Sequence, residues 1–432
     1  VLRYHRSLAG VIVNLDTVAH VAVNSVGATL NVSAASAAGW GAIATDANSY
    51  AIGDTFTGNS IDYFLGSTSS DLVWGTSTAV TFEGYGGIDW FFGGAGNDLL
   101  RLTDNDRLDG GAGTGDTLYT AGSVNGSAYS TNSVTVYLDG NVDLNTNGIA
   151  DYLDKGVSSL TFAAGANPTG ASLTYTGFAT GYSGTSYLKN IENIFSESGN
   201  DLLVGDSGNN ILNGRGGNNT LYGMDGNDTL HTAVGGTNTL YGGNGIDTVD
   251  FSNTWNGIGT TTAAYVFLSD ATFMGASDKL LSMGASNMAY QAKTDGGTLA
   301  YISEVENITG SSLNDVLYGN ASDNTITGGD GNDIIAGNGG ADLLYGNNGN
   351  DKFYITTSQL SSVTLLDGGS GTDTVVASGY TMTAGSIAGA KFTSIEALDI
   401  RNSAGGGSYS MNANDIVGLA DNGISSCVTL KL

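Results

Sequence analysis

Proline and cysteine each occur once in 432 residues, as Pro168 and Cys427, and histidine three times, as His5, His20 and His231. A lone cysteine excludes a disulfide framework within the chain. No H-E-x-x-H zinc-protease motif is present, and no G-x-S-x-G nucleophile elbow; GYSGT (181–185) comes nearest and lacks the final glycine. No apolar run approaches the roughly 18 residues that cross a bilayer as a helix, so no membrane insertion is expected. Basic residues are also scarce: 13 against 41 acids, a formal net charge of −28. Such a surface argues against nucleic acid and anionic membranes and suits a medium rich in divalent cations. The opening VLRYHRSLAG has neither an initiator methionine nor a hydrophobic signal core, so a processed, truncated or internal fragment is expected.

Glycine, by contrast, occurs 68 times, yet 40% of residues are hydrophobic, too many for simple disorder. The glycines are ordered most clearly from Leu313 to Tyr354, which reads in nines as LNDVLYGNA, SDNTITGGD, GNDIIAGNG, GADLLYGNN and GNDKFY. Asp or Asn holds the third place of every unit (Asp315, Asn324, Asp333, Asp342, Asp351). An apolar residue follows two places later: Leu317, Ile326, Ile335, Leu344, Phe353. Glycine lets the backbone double back within a few residues, and side chains alternate along the short strand that follows. The middle apolar residues therefore line one inner face. Two units make one coil, so Asp315, Asp333 and Asp351 stack on one edge, with Asn324 and Asp342 on the other. Carboxylates about 4.8 Å apart repel by about 3–4 kcal/mol at an effective dielectric near 20. A cation between them removes that cost, and an all-oxygen cage suits Ca²⁺. A Gly/Asn-rich surface loop without metal is the competing reading, disfavoured by five units in register.

The unit matches the pattern G-G-x-G-x-D-x-U-x and resembles the repeats-in-toxin (RTX) family of secreted calcium-binding β-rolls. The fold expected is all-β: tandem parallel β-roll solenoid modules with edge strands and Gly/Ser/Thr-rich excursions. The resemblance implies multiple Ca²⁺ ions, export by a one-step machinery that reads a C-terminal signal, and an extracellular location. It also implies that turn residues Gly329, Gly331, Asn338, Gly340, Asn347 and Gly349 offer backbone oxygens beside Asp315, Asp333, Asp342 and Asp351. Earlier bursts contribute Asp71, Asp89, Asp98 and Asp116, then Asp201, Asp228 and Asp247; a late echo, DGGSGTDTVV, contributes Asp373. In the second burst Asn210, Asn219 and Asn238 replace Asp, which weakens calcium binding at those turns.

A longer period overlies the short one. Strand signals VIVNL (11–15), VTVYL (134–138) and AYVFL (264–268) precede the bursts. Re-entry segments YLKNIENIFSESGNDLL (187–203) and YISEVENITGSSLNDVL (301–317) share E-N-I. The expected modules are 1–133, 134–262 and 263–378, followed by a partial β-rich element, 379–432, with 412–420 as a short helix. That tail is similar to pieces of large RTX adhesins and surface-layer proteins. Residues 143–154, DLNTNGIADYLD, follow EF-hand loop spacing through Asp143, Asn145, Asn147, Ile149, Asp151 and Asp154, with Asp where a bidentate Glu is usual. They form either a weaker calcium loop, similar to thrombospondin type 3 repeats, or an ordinary Asn/Gly turn.

Glu192 and Glu306, in the E-N-I segments, read as coil caps or calcium ligands rather than general acids, and His231 as an exposed strand residue. Aromatics often follow the core residue (Trp74, Phe92, Tyr119, Tyr222, Tyr241, Tyr318, Tyr345, Tyr354) and are expected to face outward. Either they simply suit strands, or they form a contact surface for another subunit or a cell-surface polysaccharide. The expected function is non-enzymatic: a calcium-dependent structural protein of the cell surface that self-assembles as a surface layer or filament. The alternatives are the calcium-folding region of a larger secreted adhesin or hydrolase, and an ice- or glycan-binding solenoid. The last is disfavoured because the outward places mix Tyr, Thr, Leu, Lys and Val.

Overall fold

The computed structural model describes residues 62–103, 105–120, 133–139, 159–162, 172–181, 184–231, 237–252, 264–268, 299–356, 362–378 and 392–401. It also describes shorter pieces at 2–3, 11–15, 20–23, 29–32, 40–43, 55–56, 144, 359 and 429–431. No α-helix occurs among these residues; the regular structure is parallel β-solenoid. The chain divides into two compact units, Val1–Tyr222 and Gly223–Leu432. That boundary falls inside the repeat run of the expected second module, 134–262.

In the first unit, three-residue strands stack in two sheets because each Gly-rich corner returns the chain after one short strand. One sheet places Phe64, Phe82, Leu100, Leu118, Ile194 and Leu212 in register. The other places Val13, Val73, Phe91, Leu108 and Leu188 in register. All eleven are buried without exposed surface. Aromatic rings meet across this interior: Phe82 and Phe91 stack with centroids 4.5 Å apart. The parallel order gives way to antiparallel pairing in places, as where Ile12–Asn14 pairs with Trp40–Ile43 and that strand with Thr55–Phe56. Gly177–Thr180 pairs antiparallel with both Thr135–Tyr137 and Thr185–Lys189. Thr135–Tyr137 then resumes parallel pairing with Leu202–Val204.

The second unit repeats the arrangement. Leu230, Val249 and Ile308 share one inner row, as do Ile326, Leu344, Leu366 and Phe392 beyond them. Facing it, Val266, Leu317, Ile335, Phe353 and Val375 form a second row, and the strand Ala397–Arg401 pairs next in that sheet. Among the described residues, the strand Thr429–Lys431 follows it, paired with Ala397–Arg401.

Outward places are less exposed than alternation implies. Trp74 is only 6% exposed and Tyr318 only 3%; the other six aromatics are half-buried. Alternation decides which face a side chain takes, but another segment can still pack over that face. At Trp74 the second layer is visible: Ile12, Leu72, Trp74, Trp90 and Tyr175 form a buried cluster flanked by Phe92, Leu173 and Tyr187. Arg107 lies 4.3 Å from the Tyr187 ring centroid. His231 likewise is buried rather than exposed. Its Nδ1 sits 3.5 Å from Oδ2 of Asp250, its neighbour on the paired strand, and burial lowers its pKa.

Candidate metal centre

The acids of the repeats enter the structure through corners that require left-handed backbone. Gly329 and Gly331 have φ of 113° and 119°, Gly340 and Gly349 of 78° and 142°. Asn338 (67°) and Asn347 (74°) take the same region, which Asn tolerates better than other non-glycine residues. Each corner carries its aspartate inward. Asp89, Asp98, Asp116, Asp201, Asp228, Asp247, Asp315, Asp333, Asp342, Asp351 and Asp373 are all buried.

These aspartates form hydrogen-bonded columns. The N–H of Asp315 donates to Oδ1 of Asp333 (2.7 Å), that of Asp333 to Asp351 (2.7 Å), and that of Asp351 to Asp373 (2.8 Å). The Ala264 N–H donates to Asp315 and starts the column. Val11 starts the Asp71–Asp89–Asp106 column, Val80 the Asp98–Asp116 column, and Val134 the column through Asp201 to Asn219. In the second unit Asp228 donates to Asp247, and Asn324 to Asp342. The residue before each acid runs a ladder the other way: the N–H of Asn332 donates to Oδ1 of Asn314, and that of Asn350 to Asn332. The G-N-D triplet thus staples successive coils in both directions.

The second carboxylate oxygen is what points to a metal. Oδ2 of Asp98, Asp116, Asp247, Asp333, Asp351 and Asp373 is buried with no hydrogen-bond partner. It faces another acceptor. A Cβ added to Gly328 would meet both Asp333 Oδ2 and the Gly346 carbonyl oxygen of the next coil. One on Gly346 would meet Asp351 Oδ2 and the Gly368 carbonyl. Two buried acceptors aimed at one point without a proton are costly, and a cation there removes the cost. Among the described residues no three acidic, histidine or cysteine side chains converge. The cage is therefore carboxylate plus backbone carbonyl, a hard all-oxygen set that fits Ca²⁺.

The asparagine corners supply an internal comparison. Asn219 accepts the Asp201 N–H through Oδ1 (2.9 Å) and donates Nδ2 to the Gly214 carbonyl (2.9 Å). Asn210 donates Nδ2 to the Glu192 carbonyl (2.9 Å), and Asn324 to the Glu306 carbonyl (2.6 Å). An amide puts a donor where the carboxylate has a second acceptor, so these corners close without metal.

Burial raises the aspartate pKa values: to about 8 at Asp333, where Asp315 and Asp351 add repulsion, to about 7 at Asp71 and Asp98, and to about 6 at Asp201, Asp247, Asp315, Asp342 and Asp351. A folded pKa above the unfolded value of about 3.9 favours the fold at low pH and loses that contribution as pH rises through the folded value. In chelator, ellipticity is therefore expected to fall as pH is raised from about 5 to 8. With calcium the ionised form is held instead, so binding near pH 7 releases protons and affinity drops towards pH 5. Circular dichroism against pH, with and without chelator, checks the pair of trends; parallel curves would contradict it.

The candidate loop Asp143, Asn145, Asn147, Ile149, Asp151 and Asp154 lies outside the described residues, as do residues 412–420. Four column members lie outside the repeat aspartates: Asp106 and Glu396, which the spacing of nine does not reach, and Glu192 and Glu306, which the sequence marks as coil caps or calcium ligands. Asp106 sits 8 residues after Asp98 and 10 before Asp116, so a strict count of nine passes over it, although the pair of steps restores 18. The others are Glu192, Glu306 and Glu396, whose carboxylates accept the N–H of Asp116 (2.7 Å), Asp247 (2.9 Å) and Asp373 (2.7 Å). The shared E-N-I of the first two is the available signal.

The family model described as the RTX calcium-binding nonapeptide repeat (4 copies) matches residues 65–100, 83–117, 195–230, 232–250, 309–344 and 329–354. No curated protein matches the chain at a significant level. The matched residues hold every aspartate of the columns described above except Asp373, and none of the three glutamates.

Proposed function

This chain is an RTX β-roll protein that binds multiple calcium ions, and from that premise we propose that it is a non-enzymatic, extracellular structural protein that self-assembles at the cell surface as a layer or filament. The observation that carries the reading is the parallel ladder itself, in which Val266, Leu317, Ile335, Phe353 and Val375 repeat one contact from coil to coil. Stacked three-residue strands of this kind extend in one direction by repeating the same contacts. A net charge of −28 opposes association at low ionic strength, and calcium both fills the columns and offsets that charge. The half-buried tyrosines Tyr345 and Tyr354 add apolar contact area beside the acids.

Purified chain is therefore expected to form ordered sheets or filaments in electron micrographs as calcium is raised to about millimolar, and to disperse on chelation. Monodisperse monomers across the titration would overturn assembly and favour the calcium-folding region of a larger adhesin or hydrolase.

A further inference from the structure

Three corners of the solenoid depart from the glycine-rich pattern in the same way. Asn190-Ile191-Glu192, Glu304-Val305-Glu306 and Ser394-Ile395-Glu396 each turn the chain between two strands in three residues. The first residue of each is non-glycine with left-handed φ, at 50°, 56° and 51°. The middle residue, Ile191, Val305 or Ile395, is buried at 1–3% exposure and anchors the corner on the core. The third is the glutamate that accepts the N–H of the last aspartate of its column: Asp116, Asp247 or Asp373. Sequence separations of 76, 59 and 23 residues show that this is a recurring tertiary arrangement, not a local turn.

Each terminal aspartate is fully buried, and its Oδ2 has no hydrogen-bond partner. Opposite it stands the carbonyl of the left-handed residue. A Cβ placed on Gly110 would lie 2.6 Å from Asp116 Oδ2 and would also meet the Asn190 carbonyl oxygen. One on Gly242 would lie 2.6 Å from Asp247 Oδ2 and meet the Glu304 carbonyl. One on Gly368 would lie 2.5 Å from Asp373 Oδ2 and meet the Ser394 carbonyl. This is the arrangement found within the columns, with the corner's carbonyl standing where the next coil's glycine carbonyl would be.

We propose that each three-residue corner builds a closing calcium site that joins a repeat aspartate to a non-repeat glutamate: Asp116 with the Asn190 carbonyl and Glu192, Asp247 with the Glu304 carbonyl and Glu306, and Asp373 with the Ser394 carbonyl and Glu396. One glutamate oxygen holds the aspartate N–H, and the other supplies the charge that a following aspartate supplies inside a column. The extra methylene of Glu spans the gap left by a corner three residues shorter than the glycine-rich loop. The carboxyl belongs to the corner, so a column can end on a filled site instead of a bare acid. The inference rests on the columns binding calcium.

The test is calcium stoichiometry of the full chain by equilibrium dialysis and titration calorimetry, with calcium alone as the probe. Glu→Gln keeps an oxygen for the N–H and removes the charge. The triple variant E192Q/E306Q/E396Q is expected to bind three fewer calcium ions per chain, or to bind three of them at least about tenfold more weakly. E83Q is the control, because Glu83 accepts the Tyr63 hydroxyl (2.8 Å) on a strand and belongs to no closing corner; it should match the parent in calcium number and affinity. If the triple variant binds as many ions with the same affinities, the glutamates are hydrogen-bonding caps only and the proposal fails. If the parent chain binds no calcium, the underlying reading fails instead. Should the triple variant not fold, the single variants, each expected to lose one ion, decide the matter.

Discussion

At about pH 8, chelating calcium is expected to abolish the β-sheet circular dichroism signal of this protein in one cooperative transition. Extracellular calcium modules bind with dissociation constants of about 10⁻⁴–10⁻³ M. At millimolar calcium each filled site then stabilises the fold by about 0.4–1.4 kcal/mol through mass action. About ten such sites contribute about 4–14 kcal/mol, comparable with the entire stability of an ordinary domain at about 5–15 kcal/mol. The unfilled columns also carry a cost. Their aspartates are buried, their pKa values are raised by desolvation, and six of them keep an unpartnered Oδ2. Withdrawal of metal thus removes the stabilising contribution and leaves neighbouring carboxylates repelling across adjacent coils. Cooperativity follows from the ladder, since each aspartate N–H is held by the carboxylate of the next coil. A spectrum unchanged in excess chelator would contradict the prediction.

The second large effect separates carboxylate corners from amide corners. Asp333→Ala removes the acceptor of the Asp315 N–H and the Oδ2 that faces the Gly346 carbonyl. In saturating calcium the loss is expected to be about 3–5 kcal/mol, the range for breaking a buried charged network. Asn219→Ala removes neutral hydrogen bonds to the Asp201 N–H and to the Gly214 and Arg215 carbonyls, at a cost of about 1–2 kcal/mol. The calcium dependence discriminates further. The Asp333→Ala deficit should grow as calcium is raised, whereas the Asn219→Ala deficit should stay level. Asp333→Asn should lose calcium yet tolerate chelator better than the parent, because an amide supplies a donor for a neighbouring backbone carbonyl, as Asn219 does for Gly214. Denaturant unfolding across a calcium series measures all three; equal, calcium-independent costs at Asp333 and Asn219 would show that the carboxylate corner is not a metal site.

Much of this was legible in the chain itself. The spacing of nine puts an acid and an apolar residue at fixed places, and the step of 18 puts them in two columns and two inner rows. The observed register of Leu317, Ile335 and Phe353, and of Ile326 and Leu344, is that pattern. The calcium reading follows from the same spacing, because carboxylates repeated at one coil interval require a counter-charge. Acids outside the count of nine break it locally, as Asp106 does, or lie in segments without glycine-rich spacing, as Glu396 does; Glu192 and Glu306 are marked instead by the shared E-N-I.

The repeat pattern alone therefore determined the coil, its apolar interior and its acidic corners, since each depends on residues within one or two nonads. Tertiary structure decided what happens where the pattern stops. Whether an outward residue meets solvent depends on segments far along the chain: Trp74 shares a buried cluster with Tyr175, and His231 is screened beside Asp250. Which acid ends a column depends on where the chain re-enters after a long excursion, as when Glu192 returns to Asp116 across 76 residues. The closure of a long loop costs little more than that of a shorter one. Loop length thus places almost no restraint on the partner; strand pairing, backbone hydrogen bonds and the burial of Ile191, Val305 and Ile395 together bring each closing glutamate to its aspartate.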